Sequence, residues 1–242
     1  MTEEKKQLKK SGFAVIIGRS NVGKSTLLNA LIGTKLAIIT EKPQTTRHNI
    51  HGVLHDARGQ VVFVDTPGIL LKYHDTLTKA LNQKAKESLE DIDVVLYMVD
   101  PTRAIGNEEK MLLRLLERSN TPKILVINKI DIYNPRYIDD YRDMAEQFDK
   151  MIEISAQKPK HLKSLVNSVF EYLKEGEPIY PDFQITNVEN NFWFAEIIRE
   201  KIFHQLYQEV PYNVNVEVDI MEKRDNDILY IHAIIEVGDG RY

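Results

Sequence analysis

Gly18-Arg19-Ser20-Asn21-Val22-Gly23-Lys24-Ser25 directly follows the apolar run 13–17 and matches the pattern GxxxxGK[ST]. The apolar run predicts a buried strand, and the leucines and isoleucine after the loop, at 27, 28, 31 and 32, recur at helical spacing. The glycines let the backbone turn tightly, so that successive N–H groups point at phosphate oxygens. The positive end of the following helix faces the same point. This stretch therefore predicts a strand, a phosphate-binding loop and a helix.

Each residue type in this loop has a predicted role. Lys24 supplies a point charge to the β- and γ-phosphates of a nucleotide, and the Ser25 hydroxyl is a ligand for Mg²⁺. A Gly-rich turn can also match the pattern by chance, so the rest of the chain has to decide. The predicted contacts to the nucleotide come from Asn21, Val22, Gly23, Lys24, Ser25 and Thr26.

A second motif, Asn128-Lys129-Ile130-Asp131, follows the apolar run 124–127. The Asp131 carboxylate can accept hydrogen bonds from the N1–H and exocyclic amine of guanine, a pair of donors that adenine lacks. Asn128 is predicted to tie this loop to the phosphate loop, and the stem of Lys129 to cover the base. Alone, the motif is a common surface turn. Its order and distance after the phosphate loop favour a GTP/GDP site.

A third motif, Asp65-Thr66-Pro67-Gly68, ends the apolar run 61–64, at the sheet edge where nucleotides bind in doubly wound folds. Asp65 is predicted to hold Mg²⁺ through water. The Gly68 N–H is predicted to contact the γ-phosphate, and loss of that contact on hydrolysis frees the following segment. Thr46 is predicted to give Mg²⁺ a second hydroxyl, with Thr45 as the alternative.

The weakest motif is Ser155-Ala156, which follows the apolar run 151–154. Its backbone N–H groups are predicted to lie near the guanine O6. Lys24, Thr46 and Gly68 are the candidate catalytic residues, because all three are predicted to contact the γ-phosphate or the metal ion beside it.

Length and composition restrict the class of protein. A chain of 242 residues is longer than a domain with one hydrophobic core usually is. It allows a domain of roughly 170 residues plus a smaller unit. It contains no cysteine, which excludes disulfides and thiolate metal sites and suits a reducing cytoplasm. The longest apolar runs, such as 94–99, have the length of strands, so no transmembrane segment is predicted.

The pattern along the chain predicts four parts. Residues 1–10 form a basic tail, 11–175 a GTPase domain, 176–185 a linker, and 186–242 a smaller α+β unit. Alternation of strands and helices predicts a doubly wound, mostly parallel sheet. The smaller unit is predicted to contain an amphipathic helix and two strands joined by a turn. The helical patterns cover 77–89, 108–117, 139–148, 162–173 and 194–206, and the two late strands cover 214–220 and 229–235.

Together these motifs resemble the Era family, within the TrmE–Era–EngA group of translation-associated GTPases. The resemblance spans essentially the whole chain and is carried by the stretches 21–29, 42–48, 65–69 and 128–131. Ser20 departs from the family, which usually has proline there, and makes the loop more similar to that of the EngB group of single-domain assembly GTPases. The Gln-Thr-Thr-Arg stretch at 44–47 and the C-terminal extension favour Era.

The resemblance implies a P-loop GTPase that acts as a switch in assembly of the small ribosomal subunit. The implied partners are 16S ribosomal RNA and the 30S subunit, and the implied location is the cytoplasm, with peripheral association at the inner face of the cell membrane. Ile69 stands where many GTPases have the glutamine that orients the attacking water, so slow intrinsic hydrolysis is expected. An asparagine at the position of Asn21 binds K⁺ in related GTPases. The alternative is that Asn21 only braces the loop.

The order helix, strand, strand after the linker resembles the first half of the KH domain that ends Era proteins. The Gly-x-x-Gly loop with which a KH domain grips RNA is expected after the second strand, and the chain ends at Tyr242 before reaching it. Residues 182–242 hold 5 basic against 12 acidic side chains. We therefore expect RNA binding to be weakened or lost. Two alternatives are a GTP-dependent protein-interaction module and an EngB-like assembly GTPase without KH-mediated RNA binding.

Overall fold

The computed structural model describes residues 9–39, 49–66, 92–117, 119–205, 214–225 and 227–238. Its main feature is a six-stranded sheet in the order β2-β3-β1-β4-β5-β6. β2 is antiparallel to β3, and every other neighbouring pair is parallel. The strands are β1 Lys10–Ile17, β2 Ile50–Asp56, β3 Gly59–Asp65, β4 Val94–Val99, β5 Lys123–Ile127 and β6 Lys150–Glu153.

Helices cover both faces of this sheet. Alternate residues of β1 point to opposite faces, so Ala14 and Ile16 pack with α1 and α4, whereas Val15 and Ile17 pack with α2 and α3. The helices are α1 Lys24–Ile32, α2 Asn107–Leu116, α3 Ile138–Arg142 and α4 Leu162–Tyr172. Where one helix was predicted over 139–148, α3 gives way to a 3₁₀ turn, Asp143–Gln147. The predicted helix 77–89 lies outside the described residues.

The parallel strands all end at one edge of the sheet. The motif residues that follow them therefore share that edge, which confirms the predicted doubly wound fold. These residues are Gly18 after β1, Asp65 at the end of β3, Asn128 after β5 and Ser155 after β6. Lys10 belongs to β1, although the sequence placed it in the basic tail.

The edge strand β2 was not among the predicted strands. Its sequence mixes glycine and two histidines with apolar residues, which obscures the alternation expected of a strand. It turns into β3 at Gly59, whose φ is 141°. A Cβ there would come within 1.9 Å of the Lys10 carbonyl oxygen, so only glycine fits this turn.

The predicted linker packs against this edge of the sheet. The buried Gln60 side chain accepts hydrogen bonds from the backbone N–H groups of Ile179 (2.8 Å) and Tyr180 (2.9 Å), and it donates to the Tyr180 carbonyl (2.8 Å). Further along, the Val53 N–H of β2 donates to the Ile185 carbonyl (2.9 Å). The chain between the two units is therefore fixed to β2 and β3.

The C-terminal unit consists of α5 Asn190–Gln205 and an antiparallel pair, β7 Val214–Lys223 and β8 Leu229–Val237. The predicted turn between these strands is closed by the Arg224 N–H, which donates to the Ile228 carbonyl (2.9 Å). Asn226 and the predicted helix end at Leu206 lie outside the described residues. The exposed apolar side chains of the two strands include Ile220, Leu229, Ile234, Ile235 and Val237.

The buried side of α5 is more charged than its sequence pattern predicts. Ala195 and Phe203 are buried as expected, and so are Glu196, Arg199 and Glu200. The Arg199 guanidinium donates to both Glu196 carboxylate oxygens (2.7 and 2.5 Å), which satisfies the two charges within the helix. The Glu200 carboxylate has its partners outside the helix, at Lys35 and Ile39.

Candidate nucleotide-binding site

The phosphate loop, residues 18–25, depends on Gly23. Its φ of 106° lies in the left-handed region, and an added Cβ would come within 2.4 Å of the Asn128 amide nitrogen. Val22 packs into the core beneath the loop, and α1 begins at Lys24. The structure thus forms the predicted strand, loop and helix.

Lys24 folds back over its own loop. Its ammonium group donates to the carbonyl oxygens of Gly18 (3.1 Å) and Arg19 (2.9 Å). Burial lowers its pKa to about 8, against the opposing pull of the Asp65 and Glu108 carboxylates. The cation is therefore held at the loop, in surroundings that would favour its charged form more once phosphate is bound.

Two predicted magnesium ligands lie in contact. The Ser25 hydroxyl donates to Asp65 Oδ2 at 2.6 Å, and Asp65 is buried at the end of β3. A hydroxyl and a carboxylate are hard oxygen donors, the type that Mg²⁺ prefers. In the described part of the chain, no group of three or more His, Cys, Asp or Glu side chains could hold a metal ion. This donor set fits Mg²⁺ completed by phosphate oxygens and water. Thr45, Thr46, Gly68 and Ile69 lie outside the described residues.

The Asn128 side chain joins two loops. Its amide nitrogen donates to the Val22 carbonyl of the phosphate loop (2.8 Å), and its Oδ1 accepts the Ala156 N–H (3.0 Å). Asp131 lies beside this junction, where its carboxylate accepts a hydrogen bond from the Ser155 hydroxyl (2.7 Å). The guanine-binding residues predicted from two distant motifs therefore meet at one place.

The backbone N–H groups of Ser155 and Ala156 have acceptors within the protein. The Ala156 N–H donates to Asn128, and the Ser155 N–H donates to the Lys160 carbonyl (3.3 Å). The contact of these N–H groups with the guanine O6 stays a prediction. The role that the structure gives Ser155 is to orient the Asp131 carboxylate through its hydroxyl.

Asp100 is a site residue that the sequence analysis missed. It follows β4, is buried, and pairs with the Lys129 ammonium at 2.5 Å, while that ammonium also lies 3.4 Å from the Asn21 carbonyl. Burial alone would raise the pKa of Asp100, but hydrogen bonds from Lys129 and Thr102 outweigh it and hold this pKa below its ordinary value. The sequence feature that could have identified Asp100 is its position directly after a buried strand, which resembles the position of Asp65.

A second group of missed residues braces the phosphate loop. The Arg103 guanidinium donates to the Ser20 carbonyl (3.2 Å). The Arg19 guanidinium pairs with Glu108 and with Glu109 (3.3 Å), both in the first turn of α2. No pattern in the sequence links these residues, because the contacts arise only when α2 packs beside β1.

Comparison with known proteins decides the family. A family model described as 50S ribosome-binding GTPase matches residues 13–129. The GTPase Era of Carboxydothermus hydrogenoformans is 42% identical over 94% of this chain and 78% of its own length, and that of Halothermothrix orenii is 42% identical over 93% and 77%. The chain belongs to the Era GTPase family. Its activity is therefore the hydrolysis of GTP to GDP and phosphate.

Solved Era structures match both units. Era in complex with MgGDPNP and nucleotides 1506–1542 of 16S ribosomal RNA superposes with a TM-score of 0.87 at 37% identity, covering 95% of this chain and 79% of that one. A variant of Aquifex aeolicus Era bound to GDP·AlF₄⁻ gives 0.88 at 37% identity, covering 95% and 80%. Although the family model names the 50S subunit, it covers only part of the GTPase unit. The Era matches cover nearly the whole chain and carry more weight for the family.

The lowered pKa of Lys24 gives a prediction for this Era-family GTPase. At pH 9 the free protein holds Lys24 mostly neutral, because its pKa is about 8. Bound phosphates favour the ammonium form, so GDP binding should take up close to one proton at pH 9 and much less at pH 7. Calorimetry in two buffers of different ionisation enthalpy measures this uptake. Guanosine has no phosphate, so its uptake at pH 9 measures the protonation of guanine N1 alone. The excess uptake with GDP over guanosine belongs to Lys24, and no excess at pH 9 would contradict the assignment.

Proposed function

We propose that this Era-family GTPase acts in assembly of the small ribosomal subunit by binding 16S ribosomal RNA, with its nucleotide state controlling that engagement. The observation that carries the proposal is the similarity of both units to Era bound to MgGDPNP and the 16S fragment. A nucleotide site alone would fit any GTPase, whereas this similarity extends through the C-terminal unit. The proposed location is the cytoplasm, where ribosomes are assembled.

In the proposed mechanism, GTP binds with its phosphates in the phosphate loop and its base beside Asp131. Mg²⁺, held by Ser25 and by Asp65 through water, neutralises charge on the β- and γ-phosphates. Lys24 adds positive charge at the same oxygens as the γ-phosphate transfers to water. Thr46 and Gly68 stay proposed contacts to the metal ion and the γ-phosphate. Since Ile69 can neither donate nor accept a hydrogen bond through its side chain, a partner or backbone groups orient the water.

Exchange of Asp131 for asparagine tests the assignment of the base. Asp131→Asn removes an acceptor for the guanine exocyclic amine, so GTP affinity should fall by about 10²-fold or more. Xanthine has a carbonyl in place of that amine, which the new amide can contact as a donor, so affinity for XTP should rise. Asp140→Asn, an exposed carboxylate on α3, is the control and should leave both affinities unchanged. Titration calorimetry measures them, and a D131N protein that still prefers GTP would refute the assignment.

Asn21 is the proposed K⁺ ligand. It has a φ of 62°, and its carbonyl lies beside the Lys129 ammonium at the nucleotide site. A monovalent cation there would add positive charge next to the phosphates. Turnover should be faster in K⁺ than in Na⁺ at equal ionic strength, and Asn21→Ala should abolish that difference. Equal rates in the two salts would leave Asn21 as a brace for the loop.

We infer that the C-terminal unit is part of a KH domain, as its order of helix and two strands suggests. Its acidic composition and exposed apolar strands favour a second candidate function, in which this unit docks on a protein instead of RNA. Exposed apolar side chains of this kind often mark protein interfaces. The two candidates differ in whether the chain binds 16S RNA at all.

RNA binding distinguishes them. A labelled fragment of the 3′ end of 16S ribosomal RNA is titrated with this chain and with a chain extended by the segment that its longer relatives carry, each with GDP and with a GTP analogue. The extended chain should bind in the GTP state, and this chain more weakly. If neither binds, the protein-docking candidate is favoured. If both bind equally, the expected role of the Gly-x-x-Gly loop is wrong.

Peripheral membrane association stays a prediction from the family resemblance. In the ranges that the structure describes, no helix is both long and apolar enough to span a bilayer.

A further inference from the structure

The entry segment, residues 34–39, leaves α1 and leads toward the stretch that contains Thr46. Asn29 of α1 holds it. Its Oδ1 accepts the N–H groups of Leu36 (2.8 Å) and Ala37 (2.9 Å), and its amide nitrogen donates to the Ala37 carbonyl (2.8 Å). Leu36 and Ala37 are also buried in the core. The entry segment is therefore fixed to the helix that begins at Lys24.

Helix α5 of the C-terminal unit holds the entry segment from the other side. The Trp193 indole N–H donates to the Lys35 carbonyl (2.7 Å). The Glu200 carboxylate pairs with the Lys35 ammonium and accepts the Ile39 N–H (3.2 Å). The side chain of Glu200 is only 5% exposed, so its charge is removed from water and depends on these contacts.

Residues that follow the Thr46 stretch in sequence also contact the C-terminal part of the chain. The His51 N–H donates to the Asn187 side chain (2.9 Å), and the Val53 N–H donates to the Ile185 carbonyl (2.9 Å). Described residues before and after the predicted metal ligand thus contact the C-terminal part of the chain. The phosphate loop is thus connected to α5 by a short series of contacts, from α1 through Asn29 to the entry segment. A change in the occupancy of the nucleotide or metal site can reach α5 along these contacts.

We propose that Glu200 is a positioning residue for the nucleotide site. It fixes the entry segment to α5, and it thereby links phosphate occupancy to the C-terminal unit. This inference rests on the proposed function, in which GTP and Mg²⁺ occupy the phosphate loop. An ion pair with one buried partner suits such a link, because loss of Lys35 leaves the buried Glu200 charge uncompensated, so the contact is either made or broken. Linkage makes the effect reciprocal: a partner that binds α5 in one state shifts nucleotide affinity by the same factor.

The single tryptophan of the chain lies in this contact, which makes its fluorescence a direct readout. In the unmodified 242-residue chain, Trp193 emission should reach different end points with saturating Mg·GDP and with a non-hydrolysable Mg·GTP analogue. Glu200→Gln should reduce that difference. It should also change the ratio of the two dissociation constants, measured by calorimetry, by about five-fold or more. Lys35→Met, which removes the partner from a half-exposed position, should act likewise, and the double variant should add little to either single one.

Glu196→Gln is the matched control, because Glu196 is buried on the same helix and pairs with Arg199 of that helix. It should leave the ratio of dissociation constants within about two-fold of the unmodified chain. If E200Q and K35M also leave the ratio unchanged, or if E196Q changes it as much, the positioning role is wrong. Should E200Q fail to fold, K35M alone decides. A chain that binds neither nucleotide would instead refute the proposed function.

Discussion

The side-chain amide of Asn128 links the loops on which the nucleotide site depends. It contacts the phosphate loop at Val22 and the loop after β6 at Ala156, and it occupies the space beside Gly23 that a Cβ would fill. The loops leave different strands, so they can meet at one amide only because parallel strands end at the same edge. The Gly-rich motif and the Asn-Lys-x-Asp motif therefore depend on each other, because the Asn128 side chain fits only where Gly23 has no Cβ.

The site concentrates charge in the interior of the protein. Lys24, Asp65, Asp100 and Glu109 are all buried around the phosphate loop. Burying a charge costs free energy unless a partner compensates it, and an apolar core of the same volume would often be more stable. The partners here include the carbonyl groups that accept from Lys24 and the ammonium that pairs with Asp100. Such an arrangement is typical of a site in which function outweighs stability.

The sequence predicted those parts of the fold that depend on local pattern. Apolar runs located five of the six strands of the large sheet, and the motif residues after them located the phosphate and base loops. Strand β2 was missed because it is an edge strand with polar residues, so no continuous apolar run marks it. The pairing of Asp100 with Lys129 and that of Glu200 with Lys35 could not be predicted for another reason. The partners are distant in sequence, and no spacing rule connects such pairs.

The linker that packs on β2 covers part of an edge strand. An edge strand presents free backbone donors and acceptors, and two exposed edges can pair between molecules. Residues near Ile185 occupy part of the β2 edge, and Gln60 anchors the chain that leads to them. Any event that detached the linker would uncover a template for intermolecular strand pairing. By covering part of that edge, the linker reduces the strand surface through which two copies of the chain could pair.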